Sequence, residues 1–268
     1  MTTIRADDGT RLAYVESGEP GGRPVVLIAG FTAPATSWRP QVAALARAGY
    51  RVLAVDLRGH GEADHPDGGV DMDRRGDDLR DVLAALHLED VALVGGSMGG
   101  NTIWSYLSRH GDALVRSVVI VDQTPKMLNT DDWAFGFYGY DGSNADTFFA
   151  TGIPQTGHGT PLARRGLRLV RLLRALGGGD RAMSPGELVL LNDHARRDWR
   201  EAIEGSAAPV LFVAGAESEF WPAEHAAAAA ALAPRGESVV LAHDGHAANV
   251  EQPRAFNRVL LEFLARSR

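Results

Sequence analysis

A serine between glycines and a histidine in a loop near the end of this 268-residue chain are the residues best placed to do chemistry. The chain runs Val91-Ala-Leu-Val-Gly95-Gly-Ser97-Met-Gly99-Gly, an apolar strand-like run that meets Gly-x-Ser-x-Gly and passes into a helix-forming stretch. A serine squeezed between strand and helix takes up strained backbone angles, so its neighbours two residues either side must be small. Such a turn lifts the hydroxyl above the sheet edge, and the N-terminus of the following helix favours developing negative charge. The five-residue pattern is weak by itself and takes its meaning from context. Downstream, Asp244-Gly-His246 follows the last predicted strand, which brings His246 to the same sheet edge as Ser97. A neutral imidazole there can take a serine proton and return it to a leaving group, so the two read as nucleophile and general base. His243 is the fallback base, read more simply as a strand-end residue.

The elements that must position these residues alternate along the chain. Apolar, β-branched runs at 25–28, 52–55, 91–94, 118–121, 210–213 and 239–241 are buried-strand candidates, and 38–48, 72–88, 102–109, 222–232 and 253–266 read as helices. This is the pattern of parallel strands joined by crossover helices. The Asp8-Gly9 turn ahead of Leu12 adds an opening hairpin. The alternation fails over 124–208, where aromatic, Gly-rich and Arg-rich segments replace strands. The expected organisation is a core formed by 1–123 and 209–268, with 124–208 inserted as a helical cap or lid over the C-terminal edge of the sheet. Trp133, Phe137 and Tyr138 in the insertion, with Trp221 beyond it, are candidates to wall an apolar pocket. Arg164, Arg165, Arg168, Arg171 and Arg174 interleave with Leu169, Leu172, Leu173 and Leu176, a spacing that predicts an inward leucine face with the arginines outward. A second insertion helix is expected over 185–203, with Gly177-Gly-Gly179 as a hinge.

Nearly the whole chain resembles the α/β-hydrolases of the lid-bearing esterase, lipase and C–C hydrolase kind. The resemblance is carried by Gly30-Phe31, Asp56-Leu-Arg-Gly59-His60-Gly61, Gly95-Gly-Ser97-Met98-Gly99 and Gly245-His246. It implies an α/β-hydrolase fold: a mostly parallel eight-stranded sheet flanked by helices, with a helical cap. It also implies an oxyanion hole made by the backbone N–H of Met98, after the nucleophile, and that of Phe31, in the loop after the third strand. One departure is Ala29-Gly30 where the family usually has His-Gly, which loosens that loop or leaves room for a bulky group. A second concerns the triad acid. The family's commonest placement falls on Ser218 in Gly215-Ala-Glu217-Ser218-Glu219, and a serine cannot hold an imidazolium as a carboxylate does. The family's other placement, at the end of the sixth strand, falls on Asp122. Asp122 is the first choice for the acid and Glu219 or Glu217 the alternatives, since every option gives the order Ser, acid, His. Without a chemical role, Asp122 reads as a turn residue or helix cap. Asp56 and the Arg58-Gly-His-Gly61 turn are expected to shape a loop.

Composition narrows the partners. A net charge of −7 argues against nucleic acid, and the lack of cysteine removes disulfides, thiol catalysis and thiolate metal sites. No metal or cofactor is called for. No apolar run approaches the ~20 residues that span a bilayer, so a soluble, cytoplasmic chain with a small-molecule substrate and no membrane partner is expected. The reading is a serine hydrolase that cleaves a carboxylic ester, lactone or thioester of medium size and apolar character through an acyl-enzyme. Its rivals are a C–C bond hydrolase, a cofactor-free perhydrolase, and a ligand receptor that keeps the fold with little turnover.

Overall fold

The structure, a computed structural model, describes residues 1–66, 68, 70–176 and 182–267. Eight strands form one sheet: β1 (Thr2–Arg5), β2 (Arg11–Gly18), β3 (Pro24–Ile28), β4 (Arg51–Asp56), β5 (Val91–Gly96), β6 (Val115–Val121), β7 (Val210–Gly215) and β8 (Gly236–Leu241). Their order is β1-β2-β4-β3-β5-β6-β7-β8. β1 pairs antiparallel with β2 and β2 with β4, and every other pairing is parallel. The central strands read as unbroken apolar runs because helices cover both faces.

Those helices are α1 (Arg39–Arg47), α2 (Met72–Ala85), α3 (Met98–His110), α4 (Leu167–Leu176), α5 (Pro185–Arg196), α6 (Arg200–Glu204), α7 (His225–Leu232), α8 (Ala248–Glu251) and α9 (Pro253–Arg266). Alternate strand residues serve the two layers. Val26, Leu93 and Phe212 pack with Leu79, Ile103 and Ala226 of α2, α3 and α7. Leu27, Val94 and Val213 pack with Leu45 of α1 and Phe256 and Leu260 of α9. Parallel strands end together, so the loops after β3, β5, β6, β7 and β8 gather at one edge. No helix among the described residues is long and apolar enough to cross a membrane.

Three local expectations change. The sequence places the start of the helix after Ser97 at 102, because two glycines weaken a helix. In the structure α3 begins at Met98 and takes in Gly99 and Gly100. The expected helix over 185–203 breaks into α5 and α6 because the Trp199 N–H donates to Pro125 O at 3.1 Å, and Asp198 bridges Lys126. The Gly177–Gly179 hinge lies outside the described residues.

The third change concerns the arginine-rich helix, which follows its pattern only in part. Of the leucines expected inward, Leu169 and Leu172 are half-buried but Leu173 and Leu176 are 53% and 45% exposed, while Arg165, just before α4, is 6% exposed. Arg165 pairs with Glu251 at 3.0 Å and Glu219 at 3.2 Å, and Arg168 with Glu217 at 2.9 Å. Arg171 donates to the Glu251 carbonyl at 2.6 Å. Glu251 is fully buried. A buried carboxylate without a partner is costly enough to outrank the exposure of several leucines on a short helix. Arg164, Arg171 and Arg174 stay exposed as the pattern predicts, although Arg171 also reaches the Glu251 carbonyl. Arg165→Ala should therefore lower stability by about 3 kcal/mol by leaving Glu251 only its 3.6 Å contact with Arg168, and Leu173→Ser by no more than ~0.5 kcal/mol. Urea unfolding of both variants checks this; equal losses would mean that α4 packs through its leucines.

Candidate active site

Ser97 closes the turn between β5 and α3 with φ 50° and ψ −128°. A side chain at Gly95 would strike the Gly99 carbonyl, and one at Gly99 would strike Ile28 O, which is why this turn needs glycine on both sides. Positive φ recurs at Thr32 (58°), Asp122 (46°) and His243 (55°), all in loops at this edge. Three of these strained residues are tied down through their backbone N–H. Ser97 donates to Val121 O at 2.9 Å, Asp122 to Val213 O at 2.6 Å, and Thr32 to His60 Nε2 at 3.1 Å. Strain of this kind persists only where the surroundings over-determine it.

Asp122, at the exit of β6, is completely buried. Its Oδ1 accepts the Gly215 N–H at 2.9 Å, and its Oδ2 accepts the Ser218 hydroxyl at 2.6 Å and His246 Nδ1–H at 2.7 Å. His225 Nε2 lies 3.7 Å from Oδ1. Burial opposes ionisation of this carboxyl, but the imidazoles of His225 and His246 outweigh it and hold the group at about 2. Asp122 is thus a carboxylate at any functional pH. It fixes His246 with Nδ1 protonated, which leaves Nε2 as the proton acceptor. Phe220 and Trp221 pack edge-on against the His246 ring, with centroids at 4.5 and 5.3 Å. Ser97 and His246 line one cavity of about 230 Å³, together with Phe31, Trp38, Ile153 and Val250.

Neither alternative acid reaches the imidazole. Glu219 Oε2 accepts the backbone N–H of His246 at 3.2 Å and pairs with Arg165. Glu217 pairs with Arg168 and with His243 Nδ1 at 3.3 Å. Of the proposed pocket residues, Phe137 and Trp221 line a smaller chamber on the Met98 side of Ser97. Trp133 is instead buried in the main core, its indole N–H bonded to Thr124 Oγ1 at 3.1 Å, and Tyr138 stacks on His158 at 3.6 Å. Neither belongs to the walls of the two cavities that Ser97 lines. Aromatic type and proximity in sequence marked all four alike; direction of the side chain separates them.

The loop that carries Phe31 is held from β4. His60 accepts from Thr32 at Nε2, and its Nδ1 lies 3.1 Å from Arg58 O. Asp56 Oδ1 accepts the Ala35 N–H at 2.6 Å. Burial, then the charge of Arg75, pushes the His60 imidazole down to about 3, so it stays a neutral acceptor. The imidazole missing beside Gly30 is thus compensated from the Asp56–Gly61 turn. Sequence reasoning gave Ser218, His225 and His60 no part in the chemistry. Ser218 was visible only as the occupant of the expected acid slot, and nothing local separated His225 from the other histidines.

With the fold and this geometry in place, the class follows: the chain belongs to the α/β-hydrolase family, whose model matches residues 23–253. It is 39% identical over 132 residues to the non-heme chloroperoxidase CPO-A1 of Kitasatospora aureofaciens, covering 49% of this chain and 47% of that one. The chain spans about half the length of this and a second curated relative, the non-heme haloperoxidase of Rhodococcus erythropolis. Among solved structures, the bromoperoxidase from Bacillus anthracis superposes with a TM-score of 0.81 at 29% identity, covering 98% of this chain and 100% of that one. An esterase from Rhodococcus sp. ECU1013 gives 0.79 at 25% identity, covering 100% and 99%.

Two outcomes test the positioning groups. On the expectation that the Phe31 N–H serves as an oxyanion donor, His60→Ala should lower kcat about tenfold with little change in KM by loosening that amide. His60→Gln, whose amide oxygen can accept the same Thr32 N–H, should recover most of the loss; equal losses in both would mean that His60 only packs. Asp244 is fully buried, and neither carboxylate oxygen has a hydrogen-bond partner among the described residues. Burial, then the charges of Glu251 and Asp122, raises it from 3.8 to about 8. In that window the folded chain keeps a proton that the unfolded chain releases, so stability falls as pH rises from 3.8 toward about 8. Asp244→Asn should flatten that slope in urea unfolding across the window, and an unchanged slope would assign it to other groups.

Proposed function

We propose that this protein is a serine hydrolase acting on a small-molecule carboxylic ester, lactone or thioester, with Ser97, His246 and Asp122 as its triad. The observation that carries the reading is a buried carboxylate 2.7 Å from His246 Nδ1, with His246 and the strained Ser97 lining the same cavity. In this reading Ser97 Oγ attacks the carbonyl carbon while His246 Nε2 takes its proton. The carbonyl oxygen becomes an oxyanion held by the Phe31 and Met98 N–H groups. Collapse breaks the bond to the leaving group, which receives the proton from His246. Water, deprotonated by His246, then releases the acid and restores Ser97. The apolar share of the lining, including Trp38, Ile153 and Val250, supports an apolar substrate of medium size. Ile153 and Leu176 come from the 124–208 insertion, which supports its role as a cap.

The likeness to the bromoperoxidase structure favours one further reaction at the same site, perhydrolysis. Hydrogen peroxide in place of water would attack the acyl-enzyme and leave as a peracid, with no change at the triad.

A fluorophosphonate probe followed by peptide mapping tests the main reading without a known substrate. Rapid labelling at Ser97 alone is expected. Asp122→Asn should slow both labelling and ester turnover by about 10⁴-fold, and Glu219→Gln far less. The reverse order would transfer the acid role to Glu219. A folded wild-type protein that resists the probe would point to a ligand receptor.

A further inference from the structure

Ser97 stands between two cavities. Besides the cleft it shares with His246, it lines, with Met98, a chamber of about 30 Å³ walled by Phe137, Phe149 and Leu191. Three other residues of that wall are polar: Gln123, His194 and Trp221. Each has a buried atom without a hydrogen-bond partner among the described residues, namely Gln123 Oε1, His194 Nδ1 and Trp221 Nε1. Gln123 Nε2 donates to Thr124 O at 2.8 Å, which sets the amide so that Oε1 is a spare acceptor. The Trp221 indole N–H is a donor only. Burial, then the charge of Arg75, pushes the His194 imidazole down to about 3, so it is neutral, with one donor and one acceptor nitrogen.

Buried polar atoms are rarely left unpaired, and three residues that line one small space each carry one, which narrows the group that suits it. A carboxylate would face the Gln123 oxygen with no cation in the wall, and an ammonium would face the Trp221 N–H. A methyl would leave all three atoms unpaired. A hydroxyl donates to Gln123 and accepts from Trp221. The volume holds about one or two heavy atoms. The chamber's place decides which part of a substrate enters it. His246, which protonates the leaving group, lines the larger cleft and not the chamber, whereas Met98, an oxyanion donor, lines the chamber. The leaving group therefore lies in the cleft and the acyl substituent in the chamber.

We propose that this chamber is a hydroxyl-binding acyl subsite and that the preferred substrates are esters or lactones of short hydroxyacyl groups. Gln123 accepts the hydroxyl proton and Trp221 donates to its oxygen. The inference rests on the serine-hydrolase reading above.

The test compares 4-nitrophenyl glycolate with 4-nitrophenyl propionate, in which a methyl replaces the hydroxyl. The glycolate-to-propionate ratio of kcat/KM is measured in wild type, Gln123→Met and Trp221→Phe. Comparing ratios between proteins cancels the different intrinsic reactivity of the two esters. Each substitution should lower the ratio about tenfold, and either variant alone suffices if the other does not fold. An unchanged ratio in a folded variant that still hydrolyses propionate overturns the subsite and leaves water as the occupant of the chamber. Ser97 labelling by fluorophosphonate without hydrolysis of either ester also overturns it, while the nucleophile stands. Absence of both labelling and hydrolysis overturns the serine-hydrolase reading, and this inference with it.

Discussion

A carboxylate taken out of water needs donors from the protein in place of its hydration, and the geometry of the whole sheet edge follows from supplying them to Asp122. The donors come from separate places: the Gly215 N–H at the end of β7, the Ser218 hydroxyl in the loop after it, and His246 beyond β8. They can converge only because the parallel strands end in register, with Val121 of β6 paired to Val213 of β7 and Gly96 of β5. Ser97 depends on the same junction. The Ser97 N–H is bonded to Val121 O, the carbonyl of the peptide that leads into Asp122. The strained serine and the buried acid are thus separated by one hydrogen bond and one peptide unit, so movement of either disturbs the other.

A second layer of charge surrounds this centre. Glu219 receives the His246 backbone N–H on one side and Arg165 on the other, and Arg165 continues to the buried Glu251. The segment between β6 and β7 is therefore tied to the histidine loop by ion pairs as well as by apolar contact. Buried pairs of this kind add little net stability over well-packed apolar groups, but each is severe to break, which makes them effective at specifying one arrangement. They also explain why α4 leaves Leu173 and Leu176 exposed: Arg165, just before it, and Arg168 are needed inside.

The polar groups left over are as informative as those that are paired. Asp122 and His60 have partners in every direction the site requires. Asp244, Gln123, His194 and Trp221 do not have them among the described residues. Asp244 meets its burial by holding a proton, whereas Gln123, His194 and Trp221 line a space beside Ser97. The same desolvation acts on both, and the presence of a cavity distinguishes a cost of the fold from a place for a ligand.

The strand runs, most of the helices and the Gly95-x-Ser97-x-Gly99 turn were legible in the sequence because each is encoded locally. Periodicity marks which face is buried, and glycine marks where backbones approach. Ser97, Asp122 and His246 were each legible as residues at the C-terminal ends of strands. That Ser218 and His246 share one oxygen of Asp122, that His225 stands beside the other, and that His60 holds the Phe31 loop depends on strands far apart in sequence. The α4 pattern holds only in part for the same reason: its leucine spacing is local, but the buried carboxylate of Glu251 that turns Arg165 and Arg168 inward lies some 80 residues away. Trp133 and Phe137 look alike in the sequence, and only the path of the insertion sends one into the core and the other beside the nucleophile. The sequence by itself determined the fold class and which side chains stand at the C-terminal ends of the strands, since both rest on local backbone and burial preferences. Tertiary structure alone decided which buried charges meet, because a charge has no periodicity and its partner is chosen by desolvation across the assembled fold.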